Sequence, residues 1–434
     1  MDQTSTSARV VVVTGTITPQ GPRSYGRHVN TVVPLLVALS LVTVAPVQAA
    51  QASRCGPLRV PGAEHQESLS ANDLTTAGGL TDPADWAGLT PAGLPAPTAV
   101  PGTQVDGYFP DDSTGNTNHG WNHDSQFVIR LPKRWNGGLV VAGSPGVREQ
   151  YANDRAIGDW VLERGYAFAA TDKGNTGVEF YTGGDAIVEW NQRVTQLTRA
   201  AKAVVRQHYC RPPTRTLATG LSNGGYLVRW QLENHPELYD GGVDWEGVLW
   251  RAEGPNLLTF LPPALRGEPV FPAESAFLWP FYRQYYWELT QRIYREALDP
   301  DYEGAEANYD YATRPEARKA VRRIALTGRI GKPLLTLHGT LDGLLPIDQD
   351  SDVYARLVHQ AGRDRLFRYY RIEGGTHVDS LFDAFPDRLR PLTPCHHTAF
   401  AALERWLAGE RPPPSATIAR PAAVSPTECA LTHE

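Results

Sequence analysis

Apolar side chains along residues 126–221 recur in runs that alternate between strand and helix spacing. The segments QFVIRLP, GGLVVAG and YAFAATD are short, apolar and bounded by Gly, Pro or Asp, which predicts three strands. DRAIGDWVLERG and NQRVTQLTRAAKAVVRQHY carry apolar residues every three or four positions, which predicts helices. Strands separated by helices indicate a mostly parallel sheet with helices on both faces.

The same alternation returns after residue 325. KPLLTLHG and FRYYRIEGG predict two more strands, and HTAFAALERWLAG predicts a closing helix. The flanking regions are rich in Pro and Gly, so we expect them to be mainly irregular, with a few short strands before residue 126. The predicted organisation is an N-terminal leader (1–52), an irregular region (53–125), the first part of an α/β core (126–244), an insertion (245–325), the second part of the core (326–410) and a Pro-rich tail (411–434).

The insertion at 245–325 is crowded with aromatic residues. One interpretation is an ordinary subdomain core, and another is a lid whose apolar inner surface lines a pocket above the sheet. Both can hold for different side chains. The candidates for substrate contact are Trp279, Tyr285 and Tyr286.

The composition is that of an ordinary globular protein, with 434 residues, of which 41% are hydrophobic and 20% charged. The net charge is −6 and no Lys/Arg-rich run is present, so nothing indicates a nucleic acid partner. Arg23 and Arg27 precede the apolar run TVVPLLVALSLVTVAPV, and small residues follow it, as in a secretory signal peptide. The run is short and contains Pro34. We therefore expect a secreted protein without a stable membrane anchor.

Export would place the four cysteines in an oxidising compartment, where two disulfides are expected. Three pairings are possible. If the Pro-rich tail folds back over the last helix, Cys395 pairs with Cys429, which leaves Cys55 with Cys210. No C-x-x-C motif indicates thiol-redox or zinc chemistry.

The segment GLSNG, residues 220–224, lies between the predicted strand TRTLATG and the predicted helix GGYLVRWQLENHPE. It fits G-x-S-x-G, a nucleophile elbow in which a sharp strand-to-helix turn exposes the serine. The glycines allow a turn too tight for side chains. A simple Ser/Gly turn is the alternative, but the strand–turn–helix context favours Ser222 as a nucleophile.

A serine nucleophile needs a histidine base and a carboxylate that orients the histidine. In the hydrolase fold that the elbow indicates, these follow in the order Ser, Asp or Glu, His. Asp342 in PLLTLHGTLDGLLP and His377 in RYYRIEGGTHVD fit that order, each just after a predicted strand. The alternatives are Asp348 or Asp350 for the acid, and His235, His338, His396 or His397 for the base.

The oxyanion of such a reaction needs backbone N–H donors. One is expected from Asn223, the residue after the nucleophile, and the other from the loop VVAGSPGV. Pro145 has no N–H. We therefore expect Ser144 to be the second donor, in preference to Gly146.

Several blocks resemble the tannase and feruloyl esterase family of secreted α/β-hydrolases: LPKRWNGGLVVAGSPG, GYAFAATDKGNTG, YCRPPTRTLATGLSNGGYLVRWQLENHPELYDGGV and LLTLHGTLDGLLP. The resemblance covers residues 126–245 and 330–380. It implies an α/β-hydrolase fold, ester hydrolysis and a lid between the elbow and the acid. It carries the triad onto Ser222, Asp342 and His377.

One feature departs from that family. Its members commonly have a disulfide between a cysteine just before the nucleophile and another just after the histidine, whereas this chain has Leu221 and Val378. The sequence therefore predicts a divergent branch in which packing holds the triad. The family's lid often binds calcium, but the acidic stretch DPDYEGAEANYDY lacks EF-hand spacing and is interpreted as a solvated loop.

The sequence thus predicts a secreted serine esterase that needs no metal or organic cofactor. The aromatic insertion indicates apolar or aromatic esters, or polyester oligomers such as hydroxyalkanoates. A serine peptidase with the same triad is one alternative, for which Glu246, Glu253 and Glu274 are candidate amine ligands. A non-catalytic binding protein on the same fold is the other. The oligomeric state is not predicted.

Overall fold

The computed structural model describes residues 56–110, 125–174 and 186–432, so the predicted leader lies outside the described residues. Within them, one sheet contains the following strands: β1 (His65–Ala71), β2 (Gly102–Phe109), β3 (Ser125–Pro132), β4 (Gly138–Gly143), β5 (Ala167–Thr171), β6 (Arg215–Leu221), β7 (Gly241–Trp245), β8 (Leu334–Gly339), β9 (Phe367–Ile372) and β10 (Ala416–Ile418).

The strand order is β1-β2-β3-β5-β4-β6-β7-β8-β9-β10. The pairs from β1 to β5 are antiparallel, and every pair from β5 to β10 is parallel. The predicted mostly parallel sheet is confirmed. All residues of β4, β7 and β8 are buried, which explains why these strands are short and apolar instead of alternating with polar residues.

Helices cover the sheet and form the insertion: α1 (Pro83–Trp86), α2 (Asp159–Glu163), α3 (Ala186–Tyr209), α4 (Asn223–Asn234), α5 (Leu257–Leu265), α6 (Trp279–Tyr282), α7 (Glu288–Leu298), α8 (Pro315–Arg322), α9 (Ser351–Gln360) and α10 (Thr393–Leu407). Helices α3, α4 and α10 pack on the central strands. Helices α5–α8 lie between β7 and β8, within the predicted insertion. In the part of the chain that the structure describes, no helix combines the length and the apolar character that a membrane crossing requires.

The region before residue 126 contains short strands, as expected, and the tail, which was expected to be irregular, contains one as well. Strands β1 and β2 form an antiparallel pair from His65 opposite Tyr108 to Ala71 opposite Gly102. Their backbones approach so closely that a Cβ on Gly107 would lie 2.2 Å from the carbonyl oxygen of His65. In the tail, β10 adds to the sheet beside β9. Pairing with an existing sheet edge makes these short segments strands, which local periodicity does not reveal.

A disulfide joins Cys395 in α10 to Cys429 in the tail, which is the pairing expected from the sequence. The partner predicted for Cys210 is Cys55, which lies outside the described residues.

Candidate active site

The GLSNG segment forms a sharp turn between β6 and α4. Ser222 occupies the turn with φ 59° and ψ −118°, a conformation that costs a non-glycine residue energy and projects its side chain away from the sheet edge. A Cβ on Gly220 would lie 2.5 Å from the carbonyl carbon of Gly224. A Cβ on Gly224 would lie 2.5 Å from the carbonyl oxygen of Gly143. Both glycines are therefore required by close backbone contacts.

The structure brings Ser222, His377 and Asp342 together at the carboxyl ends of parallel strands. Nε2 of His377 lies 3.0 Å from Oγ of Ser222, and Nδ1 of His377 lies 2.8 Å from Oδ2 of Asp342. Asp342 follows β8 and His377 follows β9, and all three side chains are buried. The chain of hydrogen bonds allows proton transfer from the hydroxyl to the imidazole.

Hydrogen bonds fix the Asp342 carboxylate on both oxygens. Oδ1 accepts the backbone N–H groups of Leu344 and Leu345 at 2.7 and 2.8 Å, and Oδ2 lies 3.3 Å from Nε2 of His338. Burial disfavours the charged form, but the attraction of His377 and the hydrogen bonds from both histidines hold the pKa of Asp342 below its ordinary value. The carboxylate is therefore ionised at neutral pH. The alternative acid Asp350 binds Arg229, and the alternative base His396 binds Thr219.

A further carboxyl group, Glu246, lies beside this trio. It follows β7, is fully buried, and places Oε2 3.8 Å from Nδ1 of His377. From the sequence, Glu246 is a candidate only for a peptidase subsite. Its position next to His377 follows from the order β7-β8-β9, which brings the ends of these three strands to one sheet edge, and β7 was not predicted. A predicted strand at residues 241–245 would have placed Glu246 at the same sheet edge.

One group of three possible metal ligands occurs among the described residues. Donor atoms of Glu246, His338 and Asp342 lie within 4.8 Å of one another. His338 is poorly suited to a metal, because its Nε2 hydrogen is shared between the carbonyl oxygen of Leu345 at 3.0 Å and Oδ2 of Asp342 at 3.3 Å. Nδ1 of His338 lies 2.7 Å from Oγ of Ser351, so its lone pair is used as well.

The acidic stretch of the insertion also has protein partners. Asp299 binds the guanidinium of Arg314 through both oxygens, and it accepts the hydroxyl hydrogen of Tyr309 at 2.9 Å. This carboxylate is thereby paired and partly neutralised.

The choice of Ser144 as an oxyanion donor requires correction. Its N–H donates to the carbonyl of Thr171 at 3.0 Å, in continuation of the β4–β5 ladder, and is therefore not free. Among the described residues, no such bond occupies the N–H of Gly146 or that of Asn223. The Asn223 side-chain amide donates to the Gly146 carbonyl at 3.0 Å, which ties the two together.

Helical residues of the insertion contact a chain neighbour of each of Ser222, Asp342 and His377. The Tyr294 hydroxyl donates to Oδ1 of Asn223 at 2.8 Å, next to Ser222. The indole N–H of Trp287 donates to the Gly343 carbonyl at 2.8 Å, next to Asp342. The Tyr282 hydroxyl lies 3.0 Å from Oγ1 of Thr376, next to His377. We call these contacts, made by Tyr282, Trp287 and Tyr294, the aromatic brace.

A cavity of about 110 Å³ opens on Ser222 and His377. Its walls are mainly apolar and come from the core and the insertion: Leu89, Pro145, Gly146, Arg148, Leu221, Val248, Leu257, Tyr286, Thr290, Tyr294, Leu344, Leu345 and Val378.

Of the aromatic residues predicted to contact substrate, Tyr286 lines the cavity, whereas Trp279 and Tyr285 do not. The indole N–H of Trp279 donates to Ser275, and Tyr285 packs against Phe281 with ring centroids 5.3 Å apart. Helical geometry turns these two away from the side that faces the cavity. Tyr286 therefore fits the interpretation of the insertion as a lid over the pocket. Trp279 and Tyr285 fit its interpretation as a subdomain core.

Part of this chain matches a known protein family. The family model described as "Tannase and feruloyl esterase" matches residues 114–244. The predicted resemblance to that family is confirmed. A protein of Arthroderma benhamiae described as "Probable feruloyl esterase" is 26% identical over 167 residues, which is 34% of this chain and 30% of that protein. The match thus spans less than a third of the relative's length.

Solved structures of other proteins have a fold similar to that of this chain. Feruloyl esterase B from Aspergillus oryzae superposes with a TM-score of 0.56 at 14% identity, covering 82% of this chain and 89% of that one. An esterase from the same organism gives 0.53 at 13% identity, with 82% and 88% covered. The predicted α/β-hydrolase fold is confirmed.

Against this tannase and feruloyl esterase background, the cysteine positions named in the sequence analysis differ in a physically meaningful way. Leu221 and Val378 are buried apolar side chains that line the cavity beside Ser222 and His377. No disulfide is possible at these two positions, and apolar packing surrounds Ser222 and His377 there.

Proposed function

We propose that this protein is a secreted serine esterase that hydrolyses carboxylic esters through an acyl-enzyme at Ser222. The observation that carries the proposal is the hydrogen-bonded chain Ser222–His377–Asp342 at the edge of an apolar cavity. The match to the tannase and feruloyl esterase family supports ester hydrolysis as the reaction.

The geometry supports the following steps. Nε2 of His377 takes the hydroxyl proton as Oγ of Ser222 attacks the ester carbonyl carbon. The tetrahedral oxyanion is held by the N–H groups of Asn223 and Gly146. The intermediate then collapses, the C–O bond to the alcohol breaks, and His377 returns the proton to the leaving oxygen. Water, deprotonated by the same imidazole, releases the acid, while Asp342 stabilises the imidazolium in both halves.

The cavity favours an apolar or aromatic acyl group, or a polyester oligomer such as a hydroxyalkanoate, because most of its wall is aliphatic and Tyr286 offers an aromatic face. A peptidase is less well supported. Glu246 is buried beneath His377, and neither Glu253 nor Glu274 lines the cavity, so no acidic side chain named for that role faces a peptide amine.

Export is part of the proposal. The signal-like segment within 1–52 and the disulfide of Cys395 with Cys429 both favour an oxidising compartment. Expression of the full chain, followed by mass determination of protein recovered from the medium, should show cleavage near residue 52. Retention of an intact chain inside the cell would contradict export.

A fluorophosphonate probe tests the nucleophile, because it reacts with activated serine hydroxyls. Wild type should be labelled and Ser222→Ala should not, with Ser425→Ala as a control that keeps full labelling. Absence of labelling in folded wild type would favour a non-catalytic binding protein.

The substrate class is tested with a panel of p-nitrophenyl, feruloyl, galloyl and hydroxybutyrate esters beside aminoacyl-nitroanilides. Faster cleavage of the anilides than of every ester would favour the peptidase.

A further inference from the structure

A second carboxyl group is held against the imidazole of His377. Glu246 has φ 49°, a left-handed conformation that non-glycine residues rarely adopt. Oε1 accepts the N–H of Gly339 at 2.9 Å, which fixes the carboxyl plane, and Oε2 is left 3.8 Å from Nδ1 of His377. The backbone of Glu246 is thus in an unfavourable conformation, and this conformation places Oε2 beside the imidazole.

The oxygen that faces His377 has no hydrogen-bond partner within the described residues. Buried polar atoms are normally hydrogen-bonded, so an unpaired Oε2 at this position requires an explanation. The separation of 3.8 Å is too long for a hydrogen bond, and the Nδ1 hydrogen is already donated to Asp342 at 2.8 Å. Coulomb attraction falls only as the inverse of distance, so a carboxylate there would still stabilise an imidazolium.

The charge on Glu246 depends on Asp342. Burial, and then the negative charge of Asp342, raise the pKa of Glu246 well above its ordinary value, whereas the hydrogen bond from the Gly339 N–H lowers it. Neutralising Asp342 would therefore favour ionisation of Glu246. The charged and titratable groups that face Glu246 are Asp342, His338, His377, Asp379 and Tyr282.

We propose that Glu246 is a second carboxyl support for the imidazole of His377, which acts together with Asp342 and partly replaces it when Asp342 is neutralised. The proposal rests on the esterase function proposed above. Glu246 does not line the cavity, so it is a positioning residue that acts through His377.

The test compares Glu246→Gln, Asp342→Asn and the double variant. Glutamine keeps the volume and the oxygen that accepts from Gly339 but cannot carry charge. We expect Glu246→Gln to lower kcat about fivefold at unchanged KM. Asp342→Asn should lower it about 10²-fold, and the double variant about 10⁴-fold, the loss typical of a triad without its acid. A double variant no slower than Asp342→Asn would overturn the proposal.

The pH profile separates support of the imidazole from a purely structural role. In Asp342→Asn, kcat should rise with pH as Glu246 ionises, and that rise should be absent from the double variant. Identical profiles would overturn the proposal. Glu233→Gln removes a half-buried carboxyl that binds Thr327 and Gly328 and does not line the cavity. This control should lower stability without changing kcat or the profile.

A measurement without turnover keeps the proposal independent of the esterase function. The rate at which a fluorophosphonate labels Ser222 reports its activation by His377 in each folded variant without ester turnover. Labelling should be slower in the double variant than in Asp342→Asn, because the second carboxylate is missing, and equal rates would overturn the proposal. A wild type that shows this coupling but cleaves no ester would contradict the proposed function alone.

Discussion

The hydroxyl of Ser222 and Nε2 of His377 lie 3.0 Å apart, although 155 positions separate the two residues in the chain. Ser222 follows β6 and His377 follows β9, and both strands end at the same edge of the parallel sheet. The insertion lies between these two residues in the chain, and it contacts the loops that carry them. The short distance between the two atoms is therefore a product of strand direction and of the contacts that fix the loops.

His377→Ala should lower kcat for a p-nitrophenyl ester by about 10⁴-fold or more, because the hydroxyl of Ser222 loses its base. The melting temperature should change little. His235→Ala, which removes a histidine beside Glu237 after α4, serves as the matched control and should retain activity. Comparable activity in both variants would contradict the assigned base.

Gly220→Ala should destabilise the fold by about 1–3 kcal/mol, because the added Cβ would lie 2.5 Å from the carbonyl carbon of Gly224 and the backbone must move. Gly93→Ala is the control, since its Cβ would meet Pro426 at an ordinary 3.5 Å. Urea unfolding of both variants measures the difference. Equal stabilities would show that the elbow tolerates a side chain.

Trp287→Phe and Tyr282→Phe should each lower kcat about tenfold with little change in KM, because each removes a contact of the aromatic brace beside Asp342 or His377. Tyr311→Phe removes a similar bond, to the Ala252 carbonyl, elsewhere in the insertion. It should cost stability but not kcat. If all three variants keep wild-type kcat, the brace does not position the triad.

Tyr286→Ala should raise KM about tenfold and shift the preferred acyl group towards larger esters, since Tyr286 lines the cavity. Tyr285→Ala removes the adjacent tyrosine, which packs on Phe281 outside the cavity. Steady-state kinetics on short- and long-acyl esters should leave this second variant close to wild type. If Tyr285→Ala raised KM and Tyr286→Ala did not, the substrate would bind on the side of the segment that carries Tyr285.

Lys173 predicts a pH dependence of stability. Its ammonium is buried and donates to the Ser144 carbonyl at 3.0 Å, and burial lowers its pKa to about 7 from 10.5, against the attraction of Asp172. Between these values the unfolded chain binds more protons than the folded one. Stability should therefore rise with pH from about 7 to 10.5 and be lost as pH falls towards 7.

Urea unfolding at pH 7.5 and 9.5 measures that effect. The unfolding free energy of wild type relative to Lys173→Met should grow on the order of 1 kcal/mol per pH unit. Lys319→Met, at an exposed position, should show no such trend. A difference that shrinks as pH rises would contradict the assigned pKa direction.

The amino-acid pattern was sufficient for the features that depend on neighbouring residues. Strands β3–β6 and helices α3 and α4 follow from local periodicity. The turn at Ser222 follows from its flanking glycines, because the steric demand of a strand-to-helix turn is local. Chain order in this fold then singled out Asp342 and His377 from their rivals.

Only the tertiary structure decided the features that depend on distant segments. The Ser144 N–H is used by Thr171 of a neighbouring strand, which leaves the N–H of Gly146 in the same loop as the proposed oxyanion donor. Helix rotation decides that Tyr286, and not Tyr285, faces the cavity. Glu246 reaches His377 because β7, β8 and β9 are neighbours in the sheet and end at the same edge. Pairing between strands and burial between elements are set by contacts far apart in the chain, and local sequence patterns do not encode them.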